Sequence, residues 1–284
     1  MRDYEVNKIM QGSPPPQKYQ VSLENWRKYP HCKWSFSNVR DLIPTAIISE
    51  SRNKKIDFNK NLVDLNALII NHKGMKSNLL SILKKCDTDA FLVMQKGILK
   101  YEFFDNFTKE NTPHIIFSLS KSITSLLTGI LVSQKVINLD SPVSTIIEET
   151  KGSAYEHATV RNVLDMNIAS RFVEDYTGNE QIFKDYRAST GWDIPKQTKE
   201  LNFLGLHDFL SKLPTSDLEH GKKYHYCSPH SDLLGWIIER ASGKKYSKIM
   251  SELLFEPAGT IQQSYVTVDK WGASRAAGGI SISP

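Results

Sequence analysis

An apolar segment without charged residues constrains the fold more than any other feature of this chain. Residues 122–134 contain no Asp, Glu, Lys or Arg, and their Ile and Leu side chains lie at positions 123, 126, 127, 130 and 131. This i, i+3, i+4, i+7, i+8 spacing predicts a helix with one buried face. At 13 residues, the segment is shorter than the roughly 18 residues that indicate a membrane span. We therefore expect a buried helix of a globular domain and no membrane partner.

Composition and charge limit the class of protein. The chain has 284 residues, of which 40% are hydrophobic, 24% charged and 10% aromatic. These values are ordinary for one large or two small globular domains, and they exclude the disordered, collagen-like and disulfide-scaffold classes. The net charge is +5. Because the basic residues are mixed with acidic ones and form no block, we expect no nucleic-acid partner.

The cysteines and the N-terminus predict the compartment. Cys32, Cys86 and Cys227 are widely spaced and form no CxxC pair, as expected in a reducing compartment. The first residues carry charges of both signs and lack the apolar core of a secretory signal. Both observations predict a cytoplasmic protein.

Two regions follow from the pattern along the chain. Residues 1–32 are polar and include three prolines at 14–16, which disfavour a helix or a central strand, so we expect an extended N-terminal arm that covers the domain. Residues 33–284 form the main domain, which is mainly helical at about 115–245. Ahead of the helical region, apolar runs at 90–95 and 98–104 flank a short turn with glycine and predict a β-hairpin.

Two further helices have recognisable ends. Thr159 is placed as the N-cap of one, since apolar residues recur after it. Ser228 is placed as the N-cap of the other, with Pro229 at its first position and Gly243 just past its end.

The motif Ser-x-x-Lys is a candidate catalytic pair. It occurs four times, at Ser51, Ser81, Ser118 and Ser242, and only Ser118 opens a strongly apolar helix. A serine in a first helical turn exposes its hydroxyl at a cleft, and a lysine three residues later lies on the same face and can take its proton when the amine is neutral. Burial and the positive end of the helix dipole both favour the neutral amine. The alternative is a capping Ser118 with a solvated Lys121.

Tyr226 is the second candidate. It lies two residues before the cap of the third helix, where a rigid turn can hold its hydroxyl toward another helix N-terminus for proton relay. Its alternative role is structural, with the hydroxyl satisfied by one hydrogen bond. The chain contains no GxGxxG, Walker, HExxH or GxSxG motif, and its eight histidines lack metal-ligand spacing. We therefore expect no cofactor and no metal.

The motifs also resemble a known family. Residues 117–127 (FSLSKSITSLL) followed by 139–143 (LDSPV), then 159–166 (TVRNVLDM) and 226–243 (YCSPHSDLLGWIIERASG), are similar to segments of the serine β-lactamase and penicillin-binding-protein superfamily, class C branch. Within it, residues 174–176 (EDY), 191–192 (GW), 226–228 (YCS), 267–269 (TVD) and 278–279 (GG) most resemble 6-aminohexanoate-dimer hydrolases. The similarity runs from about residue 33 to the last residue.

The resemblance implies roles for individual residues. Ser118 would be the acylated nucleophile, Lys121 its general base, and Tyr226 the group that protonates the leaving amine and later helps activate water. Tyr176, Trp192 and Ser228 would bind substrate. The usual Tyr-x-Asn motif reads Tyr226-Cys-Ser228 here, as in the dimer-hydrolase branch. The family's third motif, a strand that supplies an oxyanion-hole N–H, is expected after Gly279, whereas the chain ends at Pro284.

These implications predict an α+β fold of the β-lactamase/transpeptidase type, with helices between an N-terminal hairpin and later strands of one antiparallel sheet, and without the C-terminal strands. The expected activity is that of a serine hydrolase on a small linear amide or carboxylic ester. Alternatives are a β-lactamase or DD-peptidase activity, a binding protein or catalytically impaired remnant, and a cysteine hydrolase using Cys227 with His225 or His230. A hairpin without sheet partners would also favour a homo-oligomer.

Overall fold

The computed structural model describes residues 5–284 except 53–55, 57, 178 and 195–202. In chain order, its helices are α1 (Cys32–Ser35), α2 (Leu79–Lys85), α3 (Leu119–Ser133), α4 (Val143–Ile146), α5 (Val160–Leu164), α6 (Gln181–Ser189), α7 (Leu206–Ser211), α8 (Ser228–Ser242) and α9 (Tyr246–Met250). The strands are β1 (Thr45–Ile48), β2 (Asn59–Lys60), β3 (Ile69–His72), β4 (Met75–Asn78), β5 (Ala90–Gln95), β6 (Ile98–Phe104), β7 (His114–Ile115), β8 (Ser264–Thr267) and β9 (Ile280–Ile282). A π-helical turn, Ser251–Phe255, continues α9.

Helix α3 forms where the apolar segment predicts it, but its buried face differs from the Ile and Leu stripe. Leu127 and Leu131 are buried, whereas Leu126 is exposed. Several polar residues complete the buried face, among them Thr124, whose hydroxyl donates to the Ala276 carbonyl over 2.9 Å. The face can be partly polar because the chain packed against it supplies the hydrogen-bond partners that buried hydroxyls need.

The expectation of one antiparallel sheet is wrong in its detail. Strands β1, β8, β9 and β7 form an antiparallel sheet in that order, with Thr45 opposite Thr267 and Ile115 opposite Ser281. The hairpin β5–β6 forms at the predicted residues, but it belongs to a separate sheet in which β6 also pairs in parallel with the short strand β2. Strands β3 and β4 form a third sheet of two strands.

Helix α8 brings the C-terminal part of the chain close to α3. Gly243 ends the helix in the left-handed region, at φ 67°, as predicted. The N-cap is Cys227 rather than Ser228, because the Ser228 hydroxyl bonds to Glu174 instead of capping. Within the helix, a Cβ on Gly235 would lie 2.7 Å from that of Ala276. The glycine therefore permits the close approach of residues 273–279 to α8.

The N-terminal segment is folded into turns and is not the extended arm that its prolines predict. Residues Gln17–Tyr19 form a 3₁₀ turn, and the Trp26 N–H donates to the Ser22 carbonyl over 2.9 Å. Ile9 and Trp26 are buried in a cluster that also contains Ile115, Tyr265 and Trp192. The prolines exclude long helices, but the apolar residues around them are buried against the domain. A domain boundary after residue 32 stays a prediction.

None of the helices in the described part of the chain is long and apolar enough to cross a membrane.

Candidate active site

A cleft of about 1020 Å³ opens at the N-terminus of α3. Its floor contains Ser118 and Lys121, and its walls come from four other parts of the chain: the N-terminal segment, residues 174–194, the start of α8 and residues 275–278. Distant segments therefore meet around the predicted nucleophile.

Two proton-carrying groups converge on the Ser118 hydroxyl. Lys121 Nζ donates to Ser118 Oγ over 3.0 Å, and the Tyr226 hydroxyl donates to the same oxygen over 2.9 Å. Lys121 Nζ lies 5.0 Å from the centroid of the Tyr226 ring. Ser118 makes no side-chain capping hydrogen bond at the start of α3, so its hydroxyl serves the polar cluster and does not cap the helix.

Lys121 is held in place by neutral partners. Its side chain is 8% exposed, and Nζ donates a second hydrogen bond to the Ala277 carbonyl over 2.8 Å. A partly exposed Tyr226 completes the group, with 38% of its surface accessible. The three residues predicted to be catalytic thus lie together, and two of them, Ser118 and Lys121, line the cleft.

Backbone strain precedes the nucleophile. Phe117 has a positive φ of 43°, which is unfavourable for a bulky residue and costs on the order of 1–3 kcal/mol. Its ring packs against Phe36 at 4.9 Å and Trp192 at 6.0 Å between centroids. It also stacks on Trp26. The aromatic cluster therefore holds the turn that presents Ser118.

A buried ionic network lies behind Lys121. Asp232 on α8 is fully buried and accepts hydrogen bonds from Arg275, from the Tyr186 hydroxyl over 2.5 Å and from the Ala277 N–H over 2.7 Å. Burial raises the pKa of the Asp232 carboxyl, and the Arg275 guanidinium opposes that rise. Because the Ala277 N–H is bound by Asp232 while its carbonyl accepts from Lys121, this network positions the lysine.

The predicted substrate-binding residues Tyr176 and Ser228 meet at Glu174. Its carboxylate accepts from the Ser228 N–H over 2.8 Å, from the Ser228 hydroxyl over 2.9 Å and from the Tyr176 hydroxyl. Burial, followed by the hydrogen bond to Glu174, raises the pKa of the Tyr176 phenol. Both residues line the cleft.

Trp192, the third predicted substrate-binding residue, is buried in the cleft wall. Its indole N–H donates to Thr267 Oγ1 over 3.0 Å, and its backbone carbonyl accepts from the Trp26 indole over 3.3 Å. Trp192 therefore joins the cleft to both β8 and the N-terminal segment.

The geometry gives no support to a cysteine nucleophile. Cys227 is fully buried, and burial raises the pKa of its thiol well above the ordinary value. His230 is also buried, and its Nδ1 lies 3.1 Å from the Tyr155 hydroxyl. Burial lowers the pKa of His230 to about 3. Neither group faces the cleft. Among the residues with described coordinates, no group of three or more His, Cys, Asp or Glu could hold a metal ion.

Sequence reasoning missed part of the site. Arg27 in the N-terminal segment, Arg187 on α6 and Asp193 after it line the cleft, and Asp232 with Arg275 supports its floor. The available signal was Asp232 itself, a carboxylate directly before the apolar residues Leu233 and Leu234 of α8. The other residues have no local pattern that indicates their place.

Comparison with known proteins identifies the family. The family model described as "Beta-lactamase" matches residues 105–280. The chain belongs to the beta-lactamase family. This agrees with the resemblance noted in the motifs, and the β-lactamase/transpeptidase-like fold class is confirmed by structural neighbours.

Individual relatives refine the comparison. The chain is 29% identical to the 6-aminohexanoate-dimer hydrolase of Paenarthrobacter ureafaciens over 262 residues, which cover 92% of this chain and 64% of that protein. A structure from Bacillus anthracis, described as a candidate 6-aminohexanoate-dimer hydrolase, superimposes with a TM-score of 0.86 at 22% identity, covering 94% of this chain and 70% of that one. A class C beta-lactamase in complex with cefoxitin gives a TM-score of 0.51 at 19% identity, over 72% of this chain and 60% of that one. The chain thus shares its fold with the two superimposed structures, and it spans under two thirds of the length of the first relative.

Proposed function

We propose that this beta-lactamase-family chain is a serine hydrolase that transfers the acyl group of a small linear amide or carboxylic ester to Ser118 and then to water. The observation that carries the proposal is the convergence of Lys121 Nζ and the Tyr226 hydroxyl on Ser118 Oγ, at 3.0 and 2.9 Å. A nucleophile with two proton-carrying neighbours at the floor of a cleft is the arrangement that acyl transfer requires.

In the acylation step, the free amine of Lys121 takes the proton of Ser118 as Oγ bonds to the substrate carbonyl carbon. Tyr226 then gives its proton to the leaving nitrogen or oxygen as the old bond breaks, and the lysine ammonium returns a proton to the phenolate. In deacylation, water gives its proton to the same pair while its oxygen attacks the ester carbon. Ser118 Oγ recovers a proton, and the acid leaves.

The residues that line the cleft support a substrate with an apolar chain. The walls of the cleft include the aromatic rings of Tyr176, Phe183 and Trp192, which suit an apolar chain. The relative from Paenarthrobacter ureafaciens is named a 6-aminohexanoate-dimer hydrolase, and this name favours an amide of amino acids over a β-lactam as the substrate of this chain. The three cysteines are unpaired, and we therefore place the activity in the cytoplasm.

Labelling with a fluorophosphonate, followed by intact-mass measurement and peptide mapping, tests the nucleophile without a known substrate. We expect a single label on Ser118, its loss in Ser118→Ala, and its retention in the matched control Ser81→Ala. Label on Ser51, Ser81 or Ser242 with Ser118 unmodified would refute the assignment.

Substrate assays separate the alternatives. Hydrolysis of a p-nitrophenyl ester and of a linear amide supports the proposal. Cleavage of a chromogenic cephalosporin alone would instead indicate a β-lactamase. Absence of any label or turnover in a folded protein would indicate a binding protein or an impaired remnant of the same fold.

A further inference from the structure

Two arginines share one carboxylate in the lining of the cleft. Arg187 Nη2 lies 2.9 Å from Asp193 Oδ1 and 2.7 Å from Oδ2, and Arg27 pairs with Oδ1 of the same residue. Arg187 is in the last turn of α6, while Arg27 comes from the N-terminal segment. All three residues line the cleft.

This cluster carries an excess of positive charge. Two guanidinium groups face one carboxylate, and each of the three side chains is only about a quarter exposed, at 27%, 24% and 26% for Arg27, Arg187 and Asp193. Burial also raises the pKa of Asp193, so any protonation there would increase the excess. Nearby, Lys28 and Glu24 are both exposed and of opposite sign. The cluster of Arg27, Arg187 and Asp193 therefore keeps a net positive charge within the described cleft lining.

The guanidinium groups are positioned to bind a further anion. Arg187 lies 5.6 Å from the Phe183 ring centroid, and Arg27 lies 5.1 Å from that of Trp26. The Nε atom of Arg187 is buried without a hydrogen-bond partner within the described part of the chain. A guanidinium that rests on an aromatic ring keeps its planar set of donors oriented, and that set matches a carboxylate.

A row of aromatic contacts joins this cluster to Glu174 in the cleft wall. The Tyr176 ring lies 5.1 Å from that of Phe183, which in turn contacts Arg187. At the other end of this path, the negative charge of Glu174 is held by Ser228 and Tyr176. A substrate carboxylate is repelled by Glu174 and attracted by the two arginines, while the rings of Tyr176 and Phe183 between them suit an apolar chain.

We propose that Arg27 and Arg187 form a carboxylate-binding subsite that selects amides or esters whose chain ends in a carboxylate. This inference rests on the acyl-transfer function proposed above and names its substrate class. The carboxylate can belong to the acyl group or to the leaving amine of the substrate. In both cases the same two arginines would bind it.

Matched substrates test the subsite. On the acyl side, the mono-p-nitrophenyl ester of adipic acid is compared with the corresponding ester of adipamic acid, in which a neutral carboxamide replaces the carboxylate. On the amine side, N-butanoyl-6-aminohexanoate is compared with its terminal carboxamide. We expect the carboxylate form of at least one pair to have a kcat/KM about tenfold or more higher, as for other charge-assisted hydrogen bonds, and the responsive pair identifies the side.

Variants then assign the preference to the cluster. In Arg27→Gln and Arg187→Gln, the ratio of kcat/KM between the carboxylate and carboxamide substrates should fall toward one. The isosteric Asp193→Asn should raise the ratio, a gain that a misfolded protein cannot produce. Arg171→Gln, an exposed arginine outside the cleft, is the matched control and should keep the wild-type ratio.

Binding provides a readout that does not need turnover. In Ser118→Ala, calorimetry should show adipamate binding more tightly than adipamide, and Arg187→Gln in that background should remove the difference. A ratio near one in wild type for both substrate pairs, with Ser118 labelled normally, would overturn the subsite and leave the hydrolase proposal intact. Equal binding of adipamate and adipamide would overturn it even if no substrate were hydrolysed.

Discussion

The floor of the cleft and the sheet β2–β6–β5 differ in the contacts that their side chains make. The polar groups behind the floor are buried and hydrogen-bonded, whereas apolar side chains of the sheet are partly exposed to solvent. Behind the floor, the buried carboxylate of Asp232 has three donors, and these come from α6 and from the residues that precede β9. In the sheet, Leu92 and Met94 are 39% and 49% exposed. The buried residues of its apolar cluster are Leu79, Leu83 and Tyr101.

This contrast predicts different responses to mutation. A buried polar network fixes one geometry because each member needs its partners, so the loss of one member leaves an uncompensated charge or dipole. A partly exposed apolar face has few such requirements, and polar substitutions there are tolerated. Changes at the floor should therefore have large effects, and changes on the sheet face small ones.

The largest effect is expected at Lys121 and Tyr226. Lys121→Ala removes the group that takes the serine proton, and Tyr226→Phe removes the donor to the leaving group, so each should lower kcat/KM on an amide by about 10²- to 10⁴-fold. Thermal unfolding should show that both variants fold. Tyr224→Phe, two residues away and exposed, is the control. An unchanged kcat in Tyr226→Phe would show that the phenol is structural.

Elements with local signals could be predicted from the sequence. The hairpin strands at 90–95 and 98–104 and the helix after Ser118 match the structure in position, because a turn and a helical period are set by neighbouring residues. Gly243 ends α8 for the same reason. The local Ser-x-x-Lys pattern indicated Ser118 and Lys121 as candidates, whereas only the family resemblance joined them to Tyr226, since nothing local links Ser118 to Tyr226.

Elements that depend on distant contacts could not be predicted. The polar face of α3 is buried because residues 276–280 supply hydrogen bonds to Ser120 and Thr124. Arg27 lies 166 residues from its partner Asp193, and the pairing of β6 with β2 joins strands from separate regions. No periodicity in the sequence encodes such contacts. For the N-terminal segment, the sequence offered only polar residues and prolines, and these predicted an extended arm.

The next effect concerns Asp232. Asp232→Ala leaves the buried guanidinium of Arg275 without its carboxylate, and such a loss typically costs about 3–5 kcal/mol. We expect a large drop in the free energy of unfolding, measured with urea. Asp232→Asn retains hydrogen-bonding groups and should cost less. Equal stability of Asp232→Ala and wild type would show that the ionic network does not hold the floor together.

Acid should destabilise the helical region through two histidines, the buried His230 and the half-buried His207. Burial lowers the pKa of His230 to about 3 and that of His207 to about 4. Because the unfolded histidines bind protons below their ordinary pKa while the folded ones do not, stability is present above about pH 6.5 and is lost as the pH falls toward the folded values. Between pH 7 and 5 the loss should be about 2 kcal/mol for each histidine.

Variants at His207 check this assignment. Its ring stacks on Trp236 with 4.0 Å between centroids, so His207→Phe preserves an aromatic contact and removes the titrating group. In urea unfolding, the drop in the free energy of unfolding between pH 7 and 5 should be about half as large in this variant as in the wild type. The exposed His72 provides the control, since His72→Phe should retain the whole pH dependence. An undiminished effect in His207→Phe would assign the acid sensitivity elsewhere.

The smallest effect on folding and chemistry is expected on the exposed face of the sheet. Leu92 and Met94 line an apolar groove of about 1000 Å³ together with Phe58 and Ile123, and an uncovered apolar face favours self-association. The pair Leu92→Lys and Met94→Lys should change the free energy of unfolding by no more than about 0.5 kcal/mol, as is usual for surface substitutions. Ester hydrolysis should stay unchanged because neither residue reaches the cleft.

Sedimentation should show concentration-dependent association of the wild type and less association of the double variant. A wild type that stays monomeric at all concentrations would show that this face does not drive self-association. The sheet would then differ from the floor of the cleft only in that it tolerates substitutions.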